Sequence, residues 1–322
     1  MDRFLVTGGA GFIGSHLVHA LTGRGNRVRV LDDLSSGSLQ NLEPLQVGPE
    51  GSGAQVEFTK ASICDLDACR QAMRGVAGVF HEAAQVSVPR SIDDPLESYH
   101  VNVTGTLHLL EAAKAAGVRR FVFAASSAAY GDSAVLPKVE TMLPAPLSPY
   151  ASGKIAGEHL LRVYAAAFGM QTVCLRYFNV FGPRQADDSP YTGVIAIFAR
   201  ALLEGRAATI FGDGGQTRDF TFVGNVVDAN LLAMEASIGE PGSVINIGAG
   251  ERLSINELYD AMANQLGVGL RPKYMPARAG DVRDSLASLE KAQKVLGYRP
   301  RISWREGLRD TVSWYQARWG RC

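Results

Sequence analysis

Tyr150 and Lys154 stand four residues apart in the run Ser148-Pro149-Tyr150-Ala151-Ser152-Gly153-Lys154. On a helix that spacing puts both on one face, where an ammonium beside a phenol favours the phenolate and draws its pKa from about 10 toward the range of a general base. A Tyr and a Lys at this spacing also occur on ordinary helices, so the pair alone is open to a structural reading. Upstream, Ala124-Ala125-Ser126-Ser127-Ala128-Ala129-Tyr130-Gly131 supplies two hydroxyls just past an apolar run. If that run is a strand, Ser126 and Ser127 lie at the carboxyl edge where open α/β sheets hold ligands. Turn or cap bonding is their alternative.

A third constellation is Gly8-Gly9-Ala10-Gly11-Phe12-Ile13-Gly14, set between an apolar run and a helical pattern beginning near Ser15. Gly8, Gly11 and Gly14 at a strand-to-helix turn let a pyrophosphate approach backbone N–H groups, Phe12 and Ile13 among them, at the positive end of a helix dipole. The next apolar run ends at Leu31-Asp32, roughly twenty residues on, where a carboxylate can bond a ribose 2′-hydroxyl. Such a carboxylate repels the 2′-phosphate of NADP, and no arginine follows it directly, so the expected cofactor is NAD. The alternative is that Asp32 and Asp33 simply open a polar turn with Ser35, Ser36 and Gly37.

The elements that must position these groups are legible as alternation. Arg3 to Thr7, Arg27 to Leu31, Val56 to Lys60, Gly78 to His81, Phe121 to Ala125 and Thr172 to Arg176 read as buried strands with helical patterns between them. This predicts an α/β fold, a doubly wound parallel sheet covered by helices on both faces. Ser148 suits the N-cap and Pro149 the first turn of the Tyr150 helix. After about residue 178 the alternation fades, residues 182–192 read as an irregular loop, and short strands are expected at Ala208 to Phe211 and Val244 to Ile247. The expected division is a dinucleotide-binding domain of residues 1–178 plus about 220–248, and a smaller lobe of about 179–219 plus 249–322.

Composition closes off other classes. Of 322 residues, 46% are hydrophobic, enough for a large core, and Lys+Arg (32) balances Asp+Glu (32), so no basic footprint points to nucleic acid. Cys64, Cys69, Cys174 and Cys322 have neither zinc-site spacing nor the density of a disulfide scaffold, which fits a reducing compartment. His16 and His19 have no carboxylate companion and read as helix-face residues, so no metal is expected. With no signal-like leader and no run long enough to span a bilayer, the expected location is the cytoplasm, without a membrane partner.

Taken with further runs, these motifs resemble the extended short-chain dehydrogenase/reductase family, and within it the nucleotide-sugar 4-epimerases. The further runs are His81-Glu82-Ala83-Ala84, Asn102-Val103-Thr104-Gly105-Thr106, Leu175 to Gly182 and Gly212 to Phe220, and the likeness covers nearly the whole chain. The resemblance implies that Tyr150 takes the sugar 4-hydroxyl proton while NAD takes hydride from C4, with Ser126, and Ser127 beside it, bonding the same oxygen. Lys154 holds the ribose, and return of hydride to the other face of the 4-keto intermediate inverts C4. It implies cofactor contacts from Ala83, Ala84, Asn102 and Tyr177 besides the glycine turn. It implies sugar-nucleotide contacts from Ser87, Asn179, Val194, Phe211, Arg218, Arg278 and Asp281, although on their own the two arginines read as solvated surface residues. Ser62-Ile63 departs from the family's aspartate at that place, which puts an adenine contact there in doubt.

Dehydratases and decarboxylases of this fold carry an acid two places after the catalytic serine, where this chain has Ala128, so epimerisation is the better fit. A 4-reductase fits less well, since an epimerase regenerates its cofactor. The position of Ser285 borders the hexose 2-substituent in related enzymes, and a small residue there admits an N-acetyl group. The expectation is activity on UDP-GlcNAc/UDP-GalNAc and on UDP-Glc/UDP-Gal. UDP-glucuronate 4-epimerase is the alternative, through Arg184 and a C6 carboxylate. A catalytically silent NAD-binding regulator would lack the base or the lysine, and this chain has both. The family further implies a homodimer paired through residues 96–116 and 154–168.

Overall fold

Runs of Val, Ile, Leu and Phe too short for helices form strands, and in the computed structural model eight of them build one parallel sheet. The structure describes residues 2–185, 193–240, 242–277 and 282–319. The strands are β1 (Arg3–Thr7), β2 (Arg27–Asp32), β3 (Val47–Gly48), β4 (Val56–Lys60), β5 (Gly78–His81), β6 (Arg120–Ser126) and β7 (Gln171–Tyr177). Shorter ones follow, β8 (Val180–Phe181), β9 (Thr209–Phe211), β10 (Thr217–Arg218) and β11 (Thr221–Phe222), then β12 (Ser243–Ile247), β13 (Leu253–Ser254) and β14 (Lys273–Met275). The sheet order is β12-β7-β6-β5-β1-β2-β4-β3. Winding thus leaves β1 in both directions, and the crevice where the order reverses lies between β1 and β5.

Expected strands and observed ones agree to within a residue at each end. What the pattern did not reveal are β14 and the two-residue strands, most of which pair with distant segments and have no periodicity of their own. One such pairing joins β10 to β13 and another joins β8 to β11. Val244 to Ile247 does enter the main sheet, as β12 beside β7.

The helices are α1 (Phe12–Gly23), α2 (Leu66–Ala72), α3 (Val88–Asp93), α4 (Pro95–Tyr99), α5 (Thr106–Ala115), α6 (Pro149–Phe168), α7 (Val194–Leu203), α8 (Val223–Glu235), α9 (Ile255–Leu266), α10 (Glu290–Leu296) and α11 (Trp304–Trp319). Strand alternation sends Val6, Val30, Phe80, Val122 and Leu175 to the face covered by α1, α8 and α10. It sends Leu5, Leu31, Val79, Phe121 and Phe123 to the face covered by α2, α5 and α6. A separate apolar core joins α7, α9 and α11 through Phe198, Leu258, Tyr259, Leu308 and Tyr315. Helix α10, assigned to the smaller lobe on the sequence, instead lends Ala292 and Leu296 to the core of the sheet.

Helix α6 begins as its sequence dictates: Ser148 Oγ accepts the Ala151 N–H at 3.2 Å, Pro149 occupies the first position, and Gly169 ends it at φ +69°. A buried ion pair fixes it to the sheet. Arg176 of β7 donates from Nε and Nη2 to the two carboxylate oxygens of Glu158 at 2.7 Å each, and its guanidinium lies 4.7 Å from the centroid of the Tyr130 ring. Glu158→Ala leaves a charged guanidinium unpaired inside the protein. The expected cost is about 3–5 kcal/mol, read as a lowered midpoint in urea denaturation.

Candidate active site

The glycine turn fills the crevice beside β5. Gly8 has φ +67°, and a Cβ there would stand 2.8 Å from the Ala83 N; a Cβ on Gly14 would stand 2.1 Å from the Gly8 O. The turn therefore admits no side chains at these places, and the N-cap of α1, Gly11, supplies no side-chain bond, leaving first-turn N–H groups for a ligand. The Phe12 and Ile13 side chains pack inward against the apolar cores, so only their backbone faces the turn. Asp32 is buried and accepts from the Ala10 N–H at 2.9 Å and the Leu34 N–H at 2.8 Å. Burial raises its carboxyl against the pull of those two bonds. Asp32 thus both shapes the turn and keeps further lone pairs for a ribose. Ser62 Oγ accepts the Cys64 N–H at 3.2 Å, and Ile63 is buried beneath the loop. These are the features of a dinucleotide cradle: a backbone approach that any Cβ would fill, and free N–H groups at a helix start.

A buried polar relay sets the loop after β5. Thr106 Oγ1 donates to the Asn102 O at 2.7 Å, and His81 Nε2 lies 3.0 Å from that same oxygen of Thr106. Because the one Thr106 proton is committed, Nε2 must carry the imidazole proton. Nδ1 is then the acceptor for the Thr7 hydroxyl at 2.8 Å. Burial holds His81 neutral, its pKa well below the usual value. Asn102, on a π-helical turn over His100–Gly105, accepts the Gln85 N–H at 3.0 Å and donates to the Gln85 O at 3.0 Å. Its amide therefore clamps the loop at Gln85, next to Ala84. Ser87 caps α3, its Oγ accepting the Arg90 N–H at 3.2 Å.

Ser126 ends β6, Ser127 opens the following 3-10 turn (Ser127–Tyr130), and Tyr150 and Lys154 reach the same place from α6. The Ser126 hydroxyl stands beside the Tyr150 phenol and acts to lower its pKa. Lys154 Nζ donates to the Ala124 O at 2.7 Å and lies 5.9 Å from the centroid of the Tyr150 ring. The expected lowering of the Tyr150 pKa is not what these protein groups produce. Burial pushes the phenol up, the Ser126 hydroxyl pulls it partly back, and the Glu82 carboxylate adds to the rise. Lys154 is itself lowered to about 8 by burial, with Glu82 and Glu158 opposing. Tyr177, expected at the cofactor, turns its hydroxyl onto Glu82 Oε1 at 2.8 Å.

Of the expected sugar-nucleotide residues, Asn179, Val194, Phe211 and Arg218 line one cavity of about 490 Å³, with Phe198 and Gln216. Arg218 Nη1 is anchored to the Thr217 O at 2.9 Å and the Arg283 O at 3.0 Å. Ser285 does not line it: its Oγ accepts from Asn179 Nδ2 at 3.1 Å and from the Asp219 N–H at 3.3 Å, behind Asn179. Arg184 is directed away, donating to Ser15 Oγ on α1 at 3.4 Å. Arg278 and Asp281 lie outside the described residues.

Residues 4–248 match the NAD dependent epimerase/dehydratase family. This chain belongs to that family. Among its relatives, a UDP-glucose 4-epimerase of Mycolicibacterium smegmatis is 42% identical over 321 residues, 98% of each chain. Two solved structures superpose on nearly all of it. The UDP-N-acetylglucosamine 4-epimerase of Methanobrevibacter ruminantium M1, in complex with UDP-N-acetylmuramic acid, has TM-score 0.92, 36% identity and coverage of 98% and 99%. The UDP-glucose 4-epimerase of Thermotoga maritima, with UDP-glucose, has TM-score 0.91, 39% identity and coverage of 98% and 99%.

Within this epimerase/dehydratase frame, two acids went unread in the sequence. Glu82 lies in the run His81-Glu82-Ala83-Ala84, but no role was assigned to it. Asp219, fully buried, gathers three loops: Oδ1 accepts the Ala249 N–H at 2.7 Å, and Oδ2 accepts those of Gly250 at 3.2 Å and Ala287 at 3.0 Å. Those partners are 30 residues or more away in sequence, which hides the role. Burial raises Asp219 from 3.8 to about 6, against the three bonds. The folded state therefore holds the proton more tightly than the unfolded state. Its contribution to stability is full below pH 3.8 and lost as pH rises through about 6. Asp219→Asn removes that dependence, so urea stability of the variant relative to the parent should rise between pH 4 and 6.

Proposed function

We propose that this chain is an NAD-dependent UDP-sugar 4-epimerase that inverts C4 through a 4-keto sugar. The observation that carries the reading is the Tyr150 phenol beside Ser126, with Lys154 one helical turn on, in a chain that also carries the glycine cradle and the 490 Å³ cavity. Gly8, Gly11, Gly14 and Asp32 hold the cofactor, which supplies the hydride acceptor and donor at C4. Tyr150 takes the 4-hydroxyl proton and returns it, Ser126 orients that oxygen, and the Lys154 charge favours the phenolate. The apolar wall of Val194, Phe198 and Phe211 suits a base, and Arg218 suits a diphosphate because its planar fork matches phosphate oxygens.

Ala128, bonded through its N–H to Ser126 Oγ at 3.2 Å, offers no acid for loss of the 6-hydroxyl, which supports epimerisation over dehydration. Ser285 is small, which by resemblance admits an N-acetyl group as well as a hydroxyl; UDP-GlcNAc/UDP-GalNAc and UDP-Glc/UDP-Gal are both proposed substrates. The position of Arg184 lends no support to a glucuronate. We further assign the sugar-nucleotide lobe to about 179–219 plus 249–322, apart from α10, and the remainder to the NAD-binding domain. A cytoplasmic homodimer is the proposed form. Leu96, Val163 and Phe168, 82%, 56% and 51% exposed, support pairing through residues 96–116 and 154–168. Among the described residues no helix is long and apolar enough to cross a membrane.

Incubation with UDP-Glc, UDP-GlcNAc and UDP-GlcA separately, followed by proton NMR, tests the substrate. The C4 epimer of the first two is expected, and no epimer from any of the three overturns the reading. Tyr150→Phe should keep its NAD content and melting temperature and lose turnover by about 10²–10⁴-fold; retained turnover removes Tyr150 from the base role.

A further inference from the structure

Arg184 carries a charge that no carboxylate among the described residues meets. The loop that holds it, after β8, is fixed from two sides: His16 Nε2 of α1 donates to the Pro183 O at 2.9 Å, and the Tyr315 hydroxyl of α11 donates to the Gln185 O at 3.2 Å. Between these bonds Arg184 takes φ +67°, and its Nη1 donates to Ser15 Oγ on α1 at 3.4 Å. Ser15 sends its own proton to the Phe12 O at 3.0 Å, which leaves its oxygen to accept. The guanidinium is half-buried, and burial acts against its charge with no acid opposing. The neighbouring histidines bring no charge of either sign. A carbonyl can only accept, so His16 and His19 each carry the proton on Nε2, and burial lowers His16 to about 4 and His19 below its usual value.

That charge stands where an anion is due. Ser15 lies four residues after Gly11 on the same face of α1, and its N–H bonds the Gly11 O at 3.1 Å. The contact between Arg184 and Ser15 is therefore about one turn, roughly 5.4 Å, along the helix from the N–H groups of the glycine cradle. A helix start already carries a partial positive charge, and a guanidinium beside it is repelled unless an anion joins them. The stretch from Thr7 to Ala20 contains neither Lys nor Arg, so the cradle's own sequence offers a diphosphate no full positive charge. The cavity of the proposed sugar nucleotide is a different place: Gln185, next in sequence, lines it and Arg184 does not.

We propose that Arg184 is a cofactor-binding residue, giving the diphosphate of the dinucleotide the full positive charge that the glycine turn lacks. The inference rests on the NAD-dependent reading and adds no covalent step. With Nη1 on Ser15, the remaining N–H groups of the planar fork are left for phosphate oxygens, and a diphosphate neutralises a charge that the protein leaves unpaired. His16 and Tyr315, by holding Pro183 and Gln185, keep the fork at α1.

The test takes the NAD-containing enzyme with its Arg184→Gln and Arg184→Lys variants. It measures the rate at which bound NAD exchanges with labelled NAD, the Kd for UDP, and the melting temperature in excess NAD. Arg184→Gln is expected to release NAD roughly 10–100-fold faster, the scale of a lost charge-assisted bond, with the UDP Kd and the melting temperature close to the parent's. Arg184→Lys keeps the charge without the fork and falls between the two. An Arg184→Gln exchange rate equal to the parent's overturns the proposal. So does a loss of UDP affinity as large as that for NAD, which would mark a residue of the sugar nucleotide or of the fold at large. A parent that holds no NAD overturns the proposal together with the cofactor assignment. If NAD exchange responds as expected but the parent epimerises neither UDP-glucose nor UDP-GlcNAc, only the epimerase reading fails.

Discussion

A bidentate bond between Arg176 and Glu158, buried between β7 and α6, is the constraint on which the site depends. Tyr150 and Lys154 project from the first two turns of a 20-residue helix, and a small rotation of that helix would carry the phenol away from Ser126. Apolar packing alone permits such sliding, because it has little directional preference. Two charge-assisted bonds to a strand do not. The same guanidinium stacks on Tyr130, whose hydroxyl donates to Asn246 of β12 at 2.6 Å. One side chain thus references the helix to the edge strand as well.

The opposite wall is set by hydrogen bonds in which every proton is assigned. Thr7, His81, Thr106 and Asn102 link the end of β1 to the loop after β5 through a neutral imidazole. The relay itself therefore carries no charge.

Much of this was legible in the sequence because the relevant signals are local. Strand and helix periods, the glycine turn, the Ser148 cap and the four-residue spacing of Tyr150 and Lys154 each lie within a few residues, and the structure brings Ser126, Tyr150 and Lys154 together. Asn179, Val194, Phe211 and Arg218 were reached through resemblance and share one cavity. What was illegible depends on distant partners. Asp219 reads as one more acid in a glycine-rich segment until Ala249, Gly250 and Ala287 are seen to converge on it. Ser285 shows its small size in the sequence but not its bond to Asn179. The rise of the Tyr150 pKa depends on burial and on Glu82, neither of which helical spacing reveals.

The chain passes repeatedly between its two main cores. It leaves the sheet after β7, returns through α8 and β12, departs again to β13 and α9, and comes back with α10 before ending on α11. A protease that cuts one surface loop therefore releases no free lobe, because the pieces stay threaded through each other. By the same weave, no single crossing serves as a hinge. Opening the cleft by swinging one body off the other would bend several connections at once, so access for a nucleotide falls to the loops at its rim.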